Sequence, residues 1–155
     1  MAYTTIDDPG LFFNTVLYTG NNSTQSITGV GFQPDWLWIK NRGADANHDI
    51  VNSVIGSTTI MHANTNSAEG TDSNGVTSFD SDGFSLGNRA NTNANNGTMV
   101  SWNWKAPTAF SNDASSTGIG TIDSAGNASA TSGFSIVAYT GTGTAGTIKH
   151  GLSST

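Results

Sequence analysis

Hydrophobic and polar residues alternate along several short stretches of this chain with the period of two that is typical of β-strands. The pattern is clearest in the stretch "VSWNWKA". Its hydrophobic positions are Val100, Trp102, Trp104 and Ala106. Its other positions are the polar residues Ser101, Asn103 and Lys105. The sequence therefore predicts a strand here with its tryptophan side in a core and its polar side in solvent.

Similar stretches, most of them bounded by Gly, Asn or Ser, recur along the rest of the chain. They predict further strands at residues 13–19, 25–28, 35–40, 58–62, 76–79, 83–87, 118–122 and 134–140. Many short strands at this spacing are typical of sandwiches and jelly rolls. We therefore expect an all-β chain, a β-sandwich of jelly-roll or lectin-like type. The predicted core is Phe13, Leu37, Ile39, Phe84, Val100, Trp102 and Trp104.

An internal repeat organises the chain. When Phe134 is placed under Phe13, the stretch "FSIVAYTGTGTAGTI" aligns with "FNTVLYTGNNSTQSI". The first β-sandwich unit is expected at residues 1–106, with an N-terminal arm over 1–10. A linker is expected over 107–117. Residues 118–155 would begin a second, truncated unit, with strands 134–140 and 147–151 as its opening hairpin.

The repeat also explains a glycine motif. Gly141, Gly143 and Gly146 spell G-x-G-x-x-G after a predicted strand. A dinucleotide site needs a helix after these glycines and an acidic residue about 20 positions later, and the sequence shows neither. The first copy has Asn, Ser and Thr at the equivalent positions, so this stretch is predicted to be a hairpin turn.

Composition and charge exclude several function classes. Thr, Ser, Asn and Gly make up about half of the chain, and charged residues are 10% against roughly 25% in typical soluble domains. The net charge of −6 leaves no basic stripe for nucleic acid. Neither a signal peptide nor a long apolar stretch is present, so membrane insertion is not expected. The chain contains no cysteine.

Two common catalytic motifs are also missing from the sequence. There is no H-E-x-x-H and no Walker loop, and Glu69 is the only glutamate. We therefore do not expect an enzyme, and we expect no cofactor beyond a candidate calcium ion.

The first candidate site is an aromatic platform for a sugar. It would consist of Trp36, Trp38, Lys40, Asn41 and Arg42. Flat rings stack on the C–H faces of sugars, while amides and cations bind hydroxyl groups. Core packing is the alternative use of the two tryptophans.

Two further clusters carry oxygen or imidazole ligands. Asp80 and Asp82, with Asp72 and Asn74 nearby, are candidate Ca²⁺ ligands, although Asp-x-Asp-Gly is also an ordinary turn. The segment Asn47 to Asp49 could pair with His62 as metal ligands or as an acid/base couple, with a surface hydrogen bond as the alternative.

Four stretches carry a resemblance to a known family. They are "LYTGNNSTQSITGVGFQPDWLWIKNR", "SFDSDGFSLG", "VSWNWKA" and "GFSIVAYTGTGTAGTIKHGL". With these stretches the chain resembles repeat-bearing virion structural proteins, including tail-fibre-like ones, of tailed bacteriophages, especially marine ones.

The resemblance implies a non-enzymatic structural or adhesion module, in a tail fibre or decorating the particle, that attaches to host surface glycans. It implies synthesis in the host cytoplasm, location in the virion, contacts with other virion proteins, and self-association, with a trimer suggested by fibre proteins. The alternative is a carbohydrate-binding module of a bacterial surface or secreted protein.

Overall fold

The computed structural model describes residues 6–152, and the chain forms two compact units. The N-terminal unit is Asp8–Lys105, and the C-terminal unit contains residues 106–152 together with residues 6 and 7. Strands account for 43% of the structure and helices for 7%. The predicted all-β, sandwich-like fold is confirmed.

The N-terminal unit contains nine strands and two short helical segments. The strands are β1 (Phe13–Thr19), β2 (Gln25–Thr28), β3 (Trp36–Asn41), β4 (Asp49–Asn52), β5 (Gly56–His62), β6 (Gly70–Thr71), β7 (Val76–Asp80), β8 (Gly83–Leu86) and β9 (Thr98–Trp104). The helical segments are a 3-10 turn at Pro9–Leu11 and the helix α1 at Ala90–Asn93. No helix within residues 6–152 is long and apolar enough to span a membrane.

These strands form two antiparallel sheets around one core. The larger sheet has the order β1-β9-β3-β4-β5-β6, and the smaller has the order β2-β8-β7. Both sheets contribute residues to the core, which consists of Ile27, Leu37, Ile39, Val51, Ile60, Val76, Phe84, Leu86 and Met99. The predictions for Leu37, Ile39 and Phe84 are confirmed, since all three are fully buried.

The predicted orientation of β9 is wrong. Ser101 and Asn103 are fully buried, whereas Trp102 and Trp104 are only half-buried on the opposite face. Alternation shows which residues share a face but not which face meets the core. The buried Asn103 amide donates to Ser101 Oγ at 3.1 Å and to the Asn14 carbonyl at 3.1 Å. These bonds offset the cost of burying its NH₂ group, whereas its Oδ1 has no partner among residues 6–152.

Two other predicted core residues differ in their exposure. Phe13 is 39% exposed, so its placement in the core is wrong, and it packs against Trp104 at the end of the sheet. Val100 is 6% exposed, as predicted for a core residue, although it lies on the same face as Trp102.

The C-terminal unit is built on one small sheet. It contains β10 (Thr108–Asn112), the helix α2 (Ala114–Thr117), β11 (Ser124–Ser129) and β12 (Phe134–Tyr139), with antiparallel order β10-β11-β12. The predicted linker over 107–117 is wrong, because it contains β10 and α2. The Asp113 carboxylate caps α2 by accepting from the Ser116 N–H, and Gly118 ends it at φ 69°.

The predicted hairpin of strands 134–140 and 147–151 does not form. β12 pairs with β11 instead, and residues 147–150 are not a strand. The Thr147 carbonyl accepts from the backbone N–H groups of Thr121 and Ile122. Residues 118–122 contain no strand either. The second copy of the repeat, which forms β12, therefore resembles β1 in sequence but pairs with a different kind of neighbour.

Truncating Phe84 should test the core. Phe84→Ala removes the largest fully buried side chain, so we expect a loss of about 3–5 kcal/mol in the free energy of unfolding, measured in urea. Phe13→Ala removes an exposed ring of the same size and should cost about 1 kcal/mol, the scale of one aromatic pair. Equal losses in the two variants would contradict this description of the core.

Candidate functional site

The four tryptophans lie together on one side of the larger sheet, which we call the aromatic face. On β3, the half-buried Trp36, Trp38 and Lys40 alternate with the buried Leu37, Ile39 and Asn41. Residues two apart on a strand share a face. The three half-buried side chains therefore point away from the core.

Strand pairing extends this face in rows across the sheet. In the first row Phe13, Trp104 and Trp36 are in register, and the rings of Phe13 and Trp104 are 4.7 Å apart. In the second row Trp102 and Trp38 are in register, with ring centroids 5.6 Å apart at an angle of 59°. The tilted rings give a ridged aromatic surface.

The aromatic face continues beyond the tryptophans at both sides. A third row contains Leu17, Val100 and Lys40, and Leu17 is 62% exposed. The second row continues through the half-buried residues Ile50 and Met61. Exposed apolar patches are typical of binding sites, and every member of this face except the buried Val100 is at least partly exposed.

One indole N–H group on this face has no hydrogen-bond partner within the described residues. Trp38 Nε1 is buried and has no hydrogen-bond acceptor among residues 6–152. A buried donor without a partner costs roughly 1–3 kcal/mol.

The predicted sugar platform is only partly assembled. Trp36, Trp38 and Lys40 share the aromatic face, but Asn41 points to the other side, is 4% exposed and accepts from the Gly43 N–H at 2.9 Å. Arg42 is exposed and follows the last residue of the strand. Three residues that were not predicted as part of the platform, Trp102, Trp104 and Phe13, join it through the pairing of distant strands.

The candidate calcium ligands are engaged with protein groups. Asp80 accepts from the hydroxyls of Ser78 at 2.8 Å and Ser85 at 2.7 Å. Asp82 accepts from the N–H groups of Gly29 at 3.0 Å and Gly31 at 2.6 Å, and these bonds lower its pKa. The two carboxylates thus fix a turn and a loop, and calcium binding there stays a prediction.

A second feature is a cleft of about 240 Å³ beside β5 and β6, lined by Asn47, Ile60, His62, Ser67, Ala68, Gly70, Thr71, Asp72 and Arg89. At its base the fully buried Asp49 pairs with Arg89 Nε at 2.7 Å. Arg89 also pairs with Asp72. One cation therefore bridges two carboxylates.

The suggested pairing of Asp49 with His62 is present in this cleft. His62 Nδ1 lies 3.1 Å from Asp49 Oδ1, but the approach is off the line of the ring N–H bond, so the contact is not a hydrogen bond. The adjacent His48 instead packs against Trp38. The Asn91 side-chain amide donates a hydrogen bond of 3.2 Å to Asp49 Oδ1.

The same network reaches β1 through α1. The Tyr18 hydroxyl donates to the Thr92 carbonyl at 2.7 Å. Burial raises the pKa of Tyr18, and the nearby Asp49 charge adds to that shift, so the hydroxyl stays protonated as a donor. No local sequence pattern indicates this network, because Arg89 and Asp49 are far apart in the chain.

The comparisons with known proteins give one match. A family model described as "Domain of unknown function (DUF7483)" matches residues 8–155. Comparison with curated proteins and with solved structures found no match.

Removing Arg89 should destabilise the fold strongly. Arg89→Ala leaves Asp49 buried without its cation, and breaking a buried pair in this way costs about 3–5 kcal/mol. Urea unfolding should show this loss at neutral pH. Arg42→Ala, which removes an exposed cation, is the matched control and should change stability by less than about 0.5 kcal/mol. A small effect of Arg89→Ala would contradict the proposed role of the pair.

The Asp82 carboxylate should make stability depend on pH. Its folded pKa lies below the ordinary value of 3.8, so its contribution is present above that value and is lost as the pH falls through the folded pKa. The stability difference between the wild type and Asp82→Asn should be constant from about pH 6 to 8 and shrink below about pH 4. Glu69→Gln corrects for the loss of one exposed charge. A difference that persists in acid would refute this role.

Proposed function

The chain belongs to the DUF7483 family, and we propose that it is a non-enzymatic structural or adhesion module of a bacteriophage particle that contacts host glycans through its aromatic face. The observation that carries the glycan contact is the grouping of all four tryptophans, half-buried and in register, on one side of a rigid sheet. The particle assignment is supported by the resemblance of the four stretches described above.

Packing considerations support a binding role for this face. The core of the N-terminal unit is filled mainly by Leu, Ile, Val, Phe and Met side chains, so the tryptophans are not needed to fill it. Trp is enriched at binding surfaces because it offers a large rigid area with little loss of side-chain freedom. Half-buried rings on adjacent strands are held in place before a ligand arrives, which reduces the entropic cost of binding.

The chemistry of the face favours a neutral sugar. Lys40 is the cation in the three rows of the aromatic face, and the remaining members are aromatic, aliphatic or hydroxyl-bearing. Aromatic rings stack on the apolar C–H patches of pyranose rings, and that contact needs no ligand charge. Such a site binds weakly by itself, and many copies on one particle would raise the avidity by roughly 10²–10⁴.

A non-enzymatic role is supported by the state of the titratable groups in the cleft. Asp49 and Asp72 both pair with Arg89, and Asp49 also accepts from Asn91. A general acid or base needs a free position toward its substrate. Carboxylates that are already engaged with protein donors are better suited to a structural role.

The alternative is a carbohydrate-binding module of a bacterial surface or secreted protein. It would use the same aromatic face, so glycan binding does not separate the two functions. Detection of the chain by mass spectrometry in purified phage particles would favour the virion function. Detection in the cell envelope of uninfected bacteria would favour the alternative.

Loss of the platform should weaken glycan binding. The double variant Trp36→Ala, Trp38→Ala should raise the dissociation constant at least about tenfold, which corresponds to about 1.4 kcal/mol. Binding is measured on a glycan array and then by titration with each sugar that scores. Ile119→Ala, which removes an exposed apolar side chain outside the face, is the control and should bind as the wild type does.

The variants must retain their fold for this comparison, which circular dichroism would verify. Trp102→Ala gives a second, independent change in the same face. Unchanged glycan binding in the folded double variant and in Trp102→Ala would exclude the aromatic face as the glycan site.

A further inference from the structure

The strands β1 and β12 share identical residues, and some of these make packing and hydrogen-bond contacts in β1 that they do not make in β12. Six positions are identical in the two aligned stretches. The pairs are Phe13/Phe134, Val16/Val137, Tyr18/Tyr139, Thr19/Thr140, Gly20/Gly141 and Ile27/Ile148. The first five belong to the strands or to the residues that directly follow them.

In β1 these residues make the contacts that hold the strand in place. Val16 and Tyr18 pack against the core, and the Tyr18 hydroxyl donates to the Thr92 carbonyl. The Gly20 N–H donates to the Gly97 carbonyl at 2.9 Å. A Cβ at Gly20 would lie 2.2 Å from the Ala94 carbonyl oxygen, so only glycine fits this position.

In β12 two of the equivalent residues, Tyr139 and Gly141, make no comparable contacts. Tyr139 is 57% exposed. A Cβ added at Gly141 would meet nothing within 4 Å, and the backbone there is not left-handed. The surroundings of β12 within residues 6–152 therefore require neither a tyrosine at 139 nor a glycine at 141. These residues fit a position like that of β1.

The two strands also differ in sequence at positions whose side chains are exposed in β1. Thr15 and Leu17 are exposed in β1, and their counterparts are Ile136 and Ala138. Ile136 is buried in the C-terminal unit. The residues that face the core from β1 are thus mostly retained in β12, while these outward-facing ones have changed.

The backbone of β12 offers the same edge that β1 uses. In β1, Gly20 bonds to Gly97 beside β9, and alternate residues bond to the same neighbour, so Val16 and Tyr18 direct their N–H and C=O groups toward β9. In β12, the Ile136 carbonyl oxygen lies against Gly126 of β11. Val137 and Tyr139 therefore direct their backbone groups away from β11.

That outward edge of β12 is the end of its sheet. Among residues 6–152, β11 is the strand that pairs with β12, and the sheet order ends there. A strand such as β9 could bind this edge while β12 stays paired with β11. An end strand with unpaired backbone groups is a template for another chain.

We propose that β12 of one copy of this chain takes the position of β1 on β9 of a second copy, displacing that copy's own β1. Val137 would then lie opposite Ser101 of the second copy, and Tyr139 would donate to its Thr92 carbonyl. The exchange replaces one set of contacts with nearly the same set, as in strand-addition complexes. Because the contact joins two different surfaces, it leads to a ring or an open filament.

This proposal does not depend on glycan binding, and it gives the self-association implied by the resemblance a defined interface. Displacement of β1 is plausible because β1 is itself the end strand of its sheet and every second residue of it is exposed.

Disulfide trapping tests the interface, since the chain has no cysteine of its own. Full-length Val137→Cys is mixed with full-length Ser101→Cys under mild oxidation. The residues paired in β1, Val16 and Ser101, are Cα partners, so the exchanged strand should give a cross-linked dimer of the two variants. Ala138→Cys mixed with Ser101→Cys is the control, because a shift of one residue points the thiol to the opposite face.

A matched pair of substitutions distinguishes exchange from other association. Tyr18→Phe removes a bond that holds the chain's own β1, and it should increase the oligomeric fraction in sedimentation velocity. Tyr139→Phe removes the donor that would reach the second copy. It should decrease that fraction without changing the melting temperature of the monomer.

The proposal predicts that Tyr18→Phe raises the oligomeric fraction and that Tyr139→Phe, the same change at the equivalent position, lowers it. It is overturned if the wild type and Tyr18→Phe are monodisperse monomers at every concentration tested and no cross-link forms between positions 137 and 101. Oligomers that form without this cross-link, or that respond equally to both tyrosine changes, would also overturn it.

Discussion

The buried ion pair between Asp49 and Arg89 constrains the N-terminal unit more than any other single contact. A carboxylate with no exposed surface must be paired and hydrogen-bonded, because an unpaired buried charge costs several kcal/mol. Arg89 meets this need from the residue just before α1 and also binds Asp72. The pair therefore fixes β4, the turn after β6 and the start of α1 relative to one another.

Once α1 is fixed, it determines how the first strand is attached. The Thr92 carbonyl accepts from Tyr18, and the fully buried Asn93 side chain bonds to Asn21, Ser23 and Gly87. This short asparagine-containing segment is thus a central part of the unit. Asparagine suits this task because one amide can both donate and accept.

The sequence predicts the strands of the N-terminal unit well where alternation is regular. β1 and β2 begin and end at the predicted residues, and β3, β7 and β8 lie within one or two residues of them. β4 was missed because Asp49 and Asn52 interrupt its hydrophobic pattern, and their polar groups are satisfied only by the tertiary structure. β11, with the sequence "SAGNAS", has little β propensity and depends on pairing with its neighbours. Trp36, Trp38 and Lys40 lie on one face of β3, as their alternation predicts. The inward orientation predicted for Trp102 and Trp104 was wrong because Ser101 and Asn103 can be buried as a bonded pair.

The concentration of tryptophan on one surface also gives the molecule an optical property. All four indoles belong to the N-terminal unit and to the aromatic face, and the residues after Lys105 contain none. Intrinsic fluorescence at indole wavelengths therefore reports on this surface alone. A ligand that stacks on the rings would change the emission directly, without a label. The C-terminal unit contains no indole, so a probe placed within that unit would be needed to follow it.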